Sequence, residues 1–294
     1  MSVNNFLSNN FLQKLERLSV LTKKPVSGHL RGQHRSKRTG SGMIFSDYRP
    51  YVDGDDTRNL DWGIYLRLDR LVMRLFEEEA DRPVYIFVDV SESMNFGNPN
   101  KLEFAQTFAA AIAYVSLINH DRVSLTTYAG DICQSIPAQR GKKQIWRTMH
   151  ALSQIKPAGD TNLTAGLKNF FGASKKRGLV VIVSDFLEAM KYQDCFLPLH
   201  RGNHEVFVVQ VSSPQERDPS TIDDVQLVDA ESGGTADTLG QLKLLEMYRT
   251  EFFKHRREIE DYLGRQGWNY LSAETDTALE HIFCKVLRKR EFFR

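Results

Sequence analysis

Two unbroken apolar runs, Val84–Val88 and Leu179–Val183, dominate the hydrophobic pattern of this chain. Neither run alternates with polar residues, which is typical of strands that are covered on both faces in a parallel sheet. The surrounding patterns predict further strands at Val123–Tyr128, Asp131–Ile136 and Glu205–Val211, and helices at Lys101–Ile118, Lys142–Ile155, Asn162–Phe171 and Tyr192–Leu197. This order predicts an α/β fold with a doubly wound, mostly parallel sheet and helices on both faces. The tight turn at Ala129-Gly130 should make the strand after it an antiparallel edge strand.

The pattern changes on both sides of this alternation. Before it we expect a short helix within residues 1–20, a basic glycine-rich loop at Gly28–Gly42, short strands from Met43 and an extended segment at Tyr65–Glu79. After Ser213 we expect a hairpin near residues 225–234, a long amphipathic helix, a last strand and a last helix, at Leu239–Leu263, Gly267–Leu271 and Thr277–Arg290. The sequence therefore predicts three parts: a β-rich N-terminal appendage at 1–82, a core at 83–213, and C-terminal helices packed on the core at 214–294.

Composition narrows the classes of function. The chain has 294 residues with 41% hydrophobic and 26% charged content, which is typical of a globular protein, and its net charge of +2 does not favour nucleic-acid binding. Its cysteines, Cys133, Cys195 and Cys284, are odd in number and far apart, so neither a disulfide framework nor a zinc site is indicated. No export signal is recognisable, and the apolar segment at Phe104–Ile118 is short for a membrane span. We expect a cytoplasmic protein without a transmembrane segment.

Acids and hydroxyls cluster where the predicted strands end. Asp89, Ser91 and Ser93 follow the first apolar run, Thr161 opens a predicted helix, and Asp185 follows the second run. Ligands of doubly wound sheets bind beyond the carboxyl ends of the strands, so these side chains should meet at one edge. Oxygen ligands of this kind suit Mg²⁺ or Mn²⁺. Taken singly, the hydroxyls could instead cap helices and Asp185 could be a turn acid.

The five residues resemble the metal-ion-dependent adhesion site of von Willebrand factor A domains, which is D-x-S-x-S followed by a loop Thr and an Asp. A longer set of motifs resembles the bacterial family of unknown function DUF58, from about residue 26 to the C-terminus. These motifs are Gly32-Gln-His34-Arg35-Ser, Tyr51-Val-Asp-Gly54-Asp55-Asp56-Thr-Arg58-Asn-Leu-Asp61-Trp62, Arg74-Leu-Phe76-Glu77-Glu78 and Asp89-Val-Ser91-Glu-Ser93-Met94-Asn-Phe96-Gly97. The stretch from Gly54 to Trp62 is the most specific of them.

The resemblance implies a von Willebrand A-like fold and a link with MoxR-type AAA+ ATPases. It also implies that Ser91, Ser93 and Thr161 offer hydroxyl oxygens to the metal, while Asp89 and Asp185 hold coordinated waters and supply charge. An open coordination position would then take an Asp or Glu side chain of a partner protein. Asp160 departs from the family, which usually has Gly before the Thr, and Asp53 stands where Pro is usual. Asp160 would add negative charge near the metal.

Other functions are compatible with parts of the sequence. A metal-dependent phosphoester hydrolase could use Asp89 as nucleophile, but the acid expected two residues later is Ser91, and no P-loop is present. A metal-free scaffold could bind partners through Leu239–Leu263. The acids at 53–56 lack the spacing of a calcium loop, which favours a turn with ion pairs to Arg49 or Arg58. The basic loop Gly28–Gly42 is either solvated or binds an anion or a partner.

Overall fold

The computed structural model describes residues 7–18, 43–78, 83–172, 175–188, 191–219 and 238–287. The chain divides into two compact units, one at Lys24–Asp81 and one that comprises Met1–Lys23 and Arg82–Arg294. Helix α1 (Asn9–Leu15) belongs to the larger unit. The predicted three-part division stays a prediction. The basic loop at 28–42 and the hairpin predicted near 225–234 lie outside the described residues.

The smaller unit is built on an antiparallel pair, β1 (Met43–Pro50) with β2 (Val72–Glu78), and a short helix α2 (Trp62–Leu68) lies between them in sequence. The prediction of an extended segment was wrong over residues 65–68. Helix α2 forms there because the carboxylate of Asp61 accepts the N–H groups of Gly63 and Ile64 and so caps the helix. The predicted turn ion pair is confirmed, since Arg49 binds both carboxylate oxygens of Asp55, at 2.6 and 2.7 Å.

The larger unit contains the predicted doubly wound sheet. Its six strands are β3 (Pro83–Asp89), β4 (Arg122–Tyr128), β5 (Ile132–Gln139), β6 (Leu179–Ser184), β7 (Glu205–Ser212) and β8 (Asn269–Glu274). They are arranged in the order β5-β4-β3-β6-β7-β8, and every pair is parallel except β4 with β5. The fold class is therefore confirmed, including the antiparallel strand at the edge. The two apolar runs form the neighbouring central strands β3 and β6, which are entirely buried.

Helices cover both faces of this sheet. They are α3 (Lys101–Ile118), α4 (Lys142–Ser153), α5 (Leu163–Phe171), α6 (Tyr192–Arg201), α7 (Pro214–Arg217), α8 (Thr238–Arg265) and α9 (Leu279–His281), which continues into a π-helical turn at Ile282–Leu287. Alternate side chains of β3 separate two cores: Ile86 packs in the cluster with α3 and α4, and Phe87 packs in the cluster with α5, α6 and α8. Within the described residues α3 is long and apolar enough to cross a membrane, and 72% of it is buried inside the protein.

We expect Gly178→Ala to destabilise the larger unit, because a Cβ there would lie 2.1 Å from the carbonyl oxygen of Pro83 on the neighbouring strand. Such overpacking costs about 1–3 kcal/mol. Gly264→Ala is the matched control, since a Cβ on this helical residue meets nothing within 4 Å. The control should be neutral or stabilise by about 0.4–1 kcal/mol. Urea unfolding measures both; equal midpoints for the two variants would contradict the predicted strand contact.

Candidate metal centre

The candidate site lies where the strand order reverses. Strands β3 and β6 are neighbours, and the chain continues from them toward opposite edges of the sheet. This switch point is where doubly wound sheets bind ligands, at the carboxyl ends of the strands. Asp89 is the last residue of β3, and Asp185 directly follows β6. The topology therefore brings the two acids together at the carboxyl ends of the central strands, as the sequence predicted.

Asp89 is the centre of a hydrogen-bond network and is completely buried. Its Oδ2 atom accepts the hydroxyls of Ser184 at 2.6 Å, Thr161 at 3.0 Å and Tyr128 at 3.4 Å. Its Oδ1 atom accepts the backbone N–H of Ser91 at 3.0 Å. All four donors are neutral, and no cationic side chain of the described residues forms an ion pair with this carboxylate. Within the described structure, Asp89 is thus a buried acid without a counter-charge.

The hydroxyls predicted as metal ligands do not serve as helix caps. Ser91 precedes a 3₁₀ turn at Glu92–Met94, but its side chain makes no capping bond, and its Oγ lies 3.1 Å from that of Ser93. The cap of α5 is Asn162, whose side chain accepts the N–H of Ala165, while Thr161 points its hydroxyl at Asp89. Ser91 and Thr161 are therefore not helix caps, and the alternative reading of them as caps is wrong.

Asp185 has a different environment from Asp89. Its Oδ1 atom accepts the N–H of Leu187 at 3.3 Å, so the turn-acid alternative holds in part. Its Oδ2 atom accepts a hydrogen bond from the ammonium of Lys101 at 2.8 Å. Lys101 also binds Glu216, and the side chain of this lysine is completely buried. The second acid of the site is thus paired with an internal cation, whereas the first is not.

Burial dominates the electrostatics of the site. It raises the pKa of Asp89, and the nearby charge of Asp185 raises it further. The pKa of Tyr128 is raised well above its usual range by burial and by the charge of Asp89. Glu188 also has a raised pKa, caused by burial first and by Asp89 as well, and it accepts the N–H of Leu163 at the start of α5. The site therefore concentrates negative charge that a bound cation would stabilise.

The residues present fit a hard divalent cation. Three hydroxyls and two carboxylates converge here, and oxygen donors of this kind suit Mg²⁺ and Mn²⁺ better than metals that prefer imidazole or thiolate. Over the described parts of the chain, no group of three or more His, Cys, Asp or Glu side chains is placed to hold a metal ion, so the hydroxyls are essential to any such site. Asp160 is exposed in the loop that carries Thr161. Ser91, Ser93 and Thr161 would hold the ion, with Asp89 and Asp185 behind them.

Comparison with known proteins assigns the family. Residues 47–258, well over half of the chain, match the family model described as a protein of unknown function, DUF58. The chain belongs to the DUF58 family. A relative is the uncharacterized protein Mb1516 of Mycobacterium bovis, which is 26% identical over 269 residues, covering 89% of this chain and 84% of the relative. The family predicted from the motifs is therefore confirmed, and its link with MoxR-type ATPases stays a prediction.

Two solved structures are similar to this DUF58 protein. An aerotolerance-related membrane protein from Bacteroides fragilis, solved with multiple mutations to serines, has a TM-score of 0.41 and 16% identity over 71% of this chain and 99% of its own. A von Willebrand factor type A protein from Catenulispora acidiphila has a TM-score of 0.38 and 15% identity, over 48% of this chain and 35% of its own. Neither likeness assigns a function to this chain.

Sequence reasoning missed five residues of the site: Tyr128, Ser184, Lys101, Glu216 and Glu188. Ser184 had a usable signal, because it directly precedes Asp185 at the end of an apolar strand. Lys101 and Glu216 had none, since a lysine at the start of one helix and a glutamate in another segment read as solvent-exposed residues. Glu216 belongs to a capping box with Ser213 that starts α7, and this fixes its side chain beside Lys101.

Proposed function

We propose that this protein is a metal-dependent protein-interaction module without enzymatic activity. Its site would bind Mg²⁺ or Mn²⁺ and present an open coordination position to an Asp or Glu side chain of a partner protein. The observation that carries this proposal is the buried carboxylate of Asp89, which is surrounded by hydroxyls and has no cationic partner among the described residues. A buried charge of this kind is costly unless a cation compensates it.

The exposure of the ligands supports binding from outside. Asp89, Ser91 and Asp185 are buried, while Ser93 and Thr161 are only half-buried. Phe96 and Leu187, which flank the two acidic segments in sequence, are 43% and 50% exposed. Apolar side chains beside a metal favour a partner whose acidic residue is followed or preceded by an apolar one.

The same geometry is unfavourable for the hydrolase alternative. A nucleophilic Asp89 would need a free oxygen facing the substrate, but both oxygens accept hydrogen bonds and the side chain is fully buried. The proposed context is help to a MoxR-type AAA+ ATPase in assembling or remodelling a target complex. This context comes from the family resemblance, and the site supports only the metal-dependent contact.

A pull-down with purified protein as bait tests the proposal. We expect a set of partners, including an AAA+ ATPase, that is captured in Mg²⁺ and lost in chelator, and lost in both conditions for Thr161→Val. Thr107→Val is the matched control, because its hydroxyl bonds the carbonyl of Glu103 on α3, away from the site. The control should capture the same set as wild type. If the same partners were captured in chelator and by Thr161→Val, the metal-dependent mode of binding would be refuted. Hydrolysis of a generic phosphoester by the purified protein would favour the hydrolase alternative.

A metal-free scaffold that binds through α8 is the second candidate. Its support is that Met247 and Phe253 on this helix expose 57% and 49% of their surface. In that case Met247→Ser and Phe253→Ser would abolish capture, and chelator would not.

A further inference from the structure

A cavity with apolar and basic walls lies near the amino ends of the parallel strands, whereas Asp89 lies at their carboxyl ends. Its volume is about 550 Å³, and it opens between the C-terminal ends of α5 and α6. Gly178 and His204 directly precede β6 and β7, so the cavity is near the amino ends of these strands. Its walls combine apolar and basic side chains: Phe171, Leu197, Pro198, Lys168, Lys175, Arg201 and His204.

The charge of the cavity is positive. Lys168, Lys175 and Arg201 line it, and none of the described residues in its lining is acidic. None of the three forms an ion pair with an acid in the described portion of the chain. Lys175 is positioned over the ring of Phe170, 4.5 Å from its centroid. Basic residues are also common in the last turn of a helix, where they compensate the partial negative charge of exposed carbonyls. This preference could explain Lys168 or Arg201 taken one at a time. Two helix ends carry about half a negative charge each, so three full positive charges leave the cavity cationic.

His204 adds a hydrogen-bond donor to the lining of the cavity. The residue is only 5% exposed, and its ring packs edge-on against Tyr85 and Phe171 at 5.8 and 4.7 Å between centroids. Its Nδ1 atom accepts the backbone N–H of Gly178 at 3.2 Å, which requires the proton of the neutral ring to be on Nε2. Burial lowers the pKa of His204, in agreement with a neutral ring. The Nε2–H group has no hydrogen-bond acceptor among the described residues.

The wall beside this donor is left open by a glycine. A Cβ at Gly202 would lie 2.4 Å from Nε2 of His204 and 2.3 Å from its Cδ2. The absence of a side chain there leaves the Cδ2–Nε2 edge of the ring at the cavity surface. An acceptor oxygen of a ligand in the cavity can therefore reach the Nε2–H group.

We propose that this cavity binds the phosphate group of a small phosphate monoester, with Lys168, Lys175 and Arg201 supplying charge and His204 donating a hydrogen bond from Nε2. A phosphate dianion matches the three cations, and the planar guanidinium of Arg201 suits two of its oxygens. The apolar walls formed by Phe171 and Leu197 suit the organic part of the ester. The site is independent of the metal centre.

Calorimetric titration with phenyl phosphate and with inorganic phosphate tests this proposal, in chelator and at matched ionic strength with chloride. We expect saturable binding with one site per chain, tighter for phenyl phosphate because only the ester reaches the apolar walls. Arg201→Ala should weaken binding about tenfold or more, the loss expected for a charge-assisted hydrogen bond. Lys176→Ala is the matched control: this exposed lysine adjoins Lys175 in sequence but does not line the cavity.

His204→Asn separates the two roles of the histidine. The asparagine carbonyl can still accept the N–H of Gly178. Its shorter side chain ends before the position of Nε2, so we expect weaker phosphate binding by a folded protein, as checked by circular dichroism. Absence of saturable binding to wild type, or equal weakening by Lys176→Ala and Arg201→Ala, would overturn the proposal. Because chelator is present throughout, this result is independent of the metal-dependent function.

Discussion

Asp89→Asn is expected to abolish Mg²⁺ binding while leaving the metal-free protein at least as stable as wild type. Asparagine keeps the shape of the side chain and can retain the hydrogen bond from the N–H of Ser91. It removes the buried negative charge, which has no cationic partner among the described residues and costs free energy when no metal is bound. A purely structural aspartate would give the opposite stability result, because its loss would only weaken the network.

The pH dependence of stability supplies a second signature of Asp89. Its pKa is raised in the folded protein, chiefly by burial. A group with a raised pKa binds its proton more tightly in the folded state, so its contribution is fully present below the unfolded value of about 3.9 and is lost as pH rises through the folded value. Metal-free wild type should therefore lose stability over this interval relative to Asp89→Asn. Mg²⁺ should reverse the loss for wild type alone.

Thermal unfolding with and without Mg²⁺ measures these effects. At a Mg²⁺ concentration of about 100 times the dissociation constant, wild type should gain about 2.7 kcal/mol and Asp89→Asn should gain nothing. Ser135→Ala is a suitable control, since Thr126 is the hydrogen-bond partner of this hydroxyl in the described structure and the residue lies on the edge strand β5. If the asparagine variant gained as much stability from Mg²⁺ as wild type, the ion would bind elsewhere and the assignment of the site would be wrong.

Lys101→Met is expected to be the most destabilising single change in the larger unit, by about 3–5 kcal/mol. Lys101 and Asp185 are both buried, and Glu216 is nearly so, with side-chain exposures of 0%, 1% and 11%. Methionine retains the apolar stem of the lysine but leaves two carboxylates without their shared cation. The loss therefore measures uncompensated charge more than lost packing.

A double variant separates charge from packing. Lys101→Met combined with Glu216→Gln should recover part of the loss, because glutamine removes one of the unpaired charges and can still complete the capping box with Ser213. Lys254→Met is the control, since this exposed lysine pairs with Glu251 on the surface of α8 and should change stability by less than about 0.5 kcal/mol. Urea unfolding is the measurement. A loss for Lys101→Met no larger than for the control would mean that the buried ion pair contributes nothing.

Mg²⁺ should stabilise Lys101→Met more than it stabilises wild type. The ammonium of Lys101 neutralises part of the charge of Asp185, so its removal leaves a more negative site and a stronger attraction for the cation. An unchanged response to Mg²⁺ would place the lysine outside the electrostatic reach of the metal centre.

Much of the architecture could be predicted because it follows from the pattern of apolar and polar residues within short segments of the chain. The runs Val84–Val88 and Leu179–Val183 had to be buried strands, and the predicted helix Lys101–Ile118 matches α3 at both ends. Helix α2 was missed because its existence depends on one side chain, Asp61, which bonds two N–H groups at its start. A single capping residue is a weak signal for a helix. The apolar residues of this segment also alternate, and this alternation favoured the prediction of an extended segment.

The amino-acid sequence by itself determined the succession of strands and helices along the chain. This succession also determined that Asp89, Thr161 and Asp185 meet at the carboxyl ends of the parallel strands. Only the tertiary structure decided the charge balance there, because Lys101, 84 residues from Asp185 in the sequence, binds both this acid and Glu216. The cavity with His204 likewise depends on two helix ends that are distant in sequence. The local pattern of apolar and polar residues indicates which face of a helix or strand is buried. The partner of a buried charge depends instead on how whole elements pack together, and the local pattern does not contain that information.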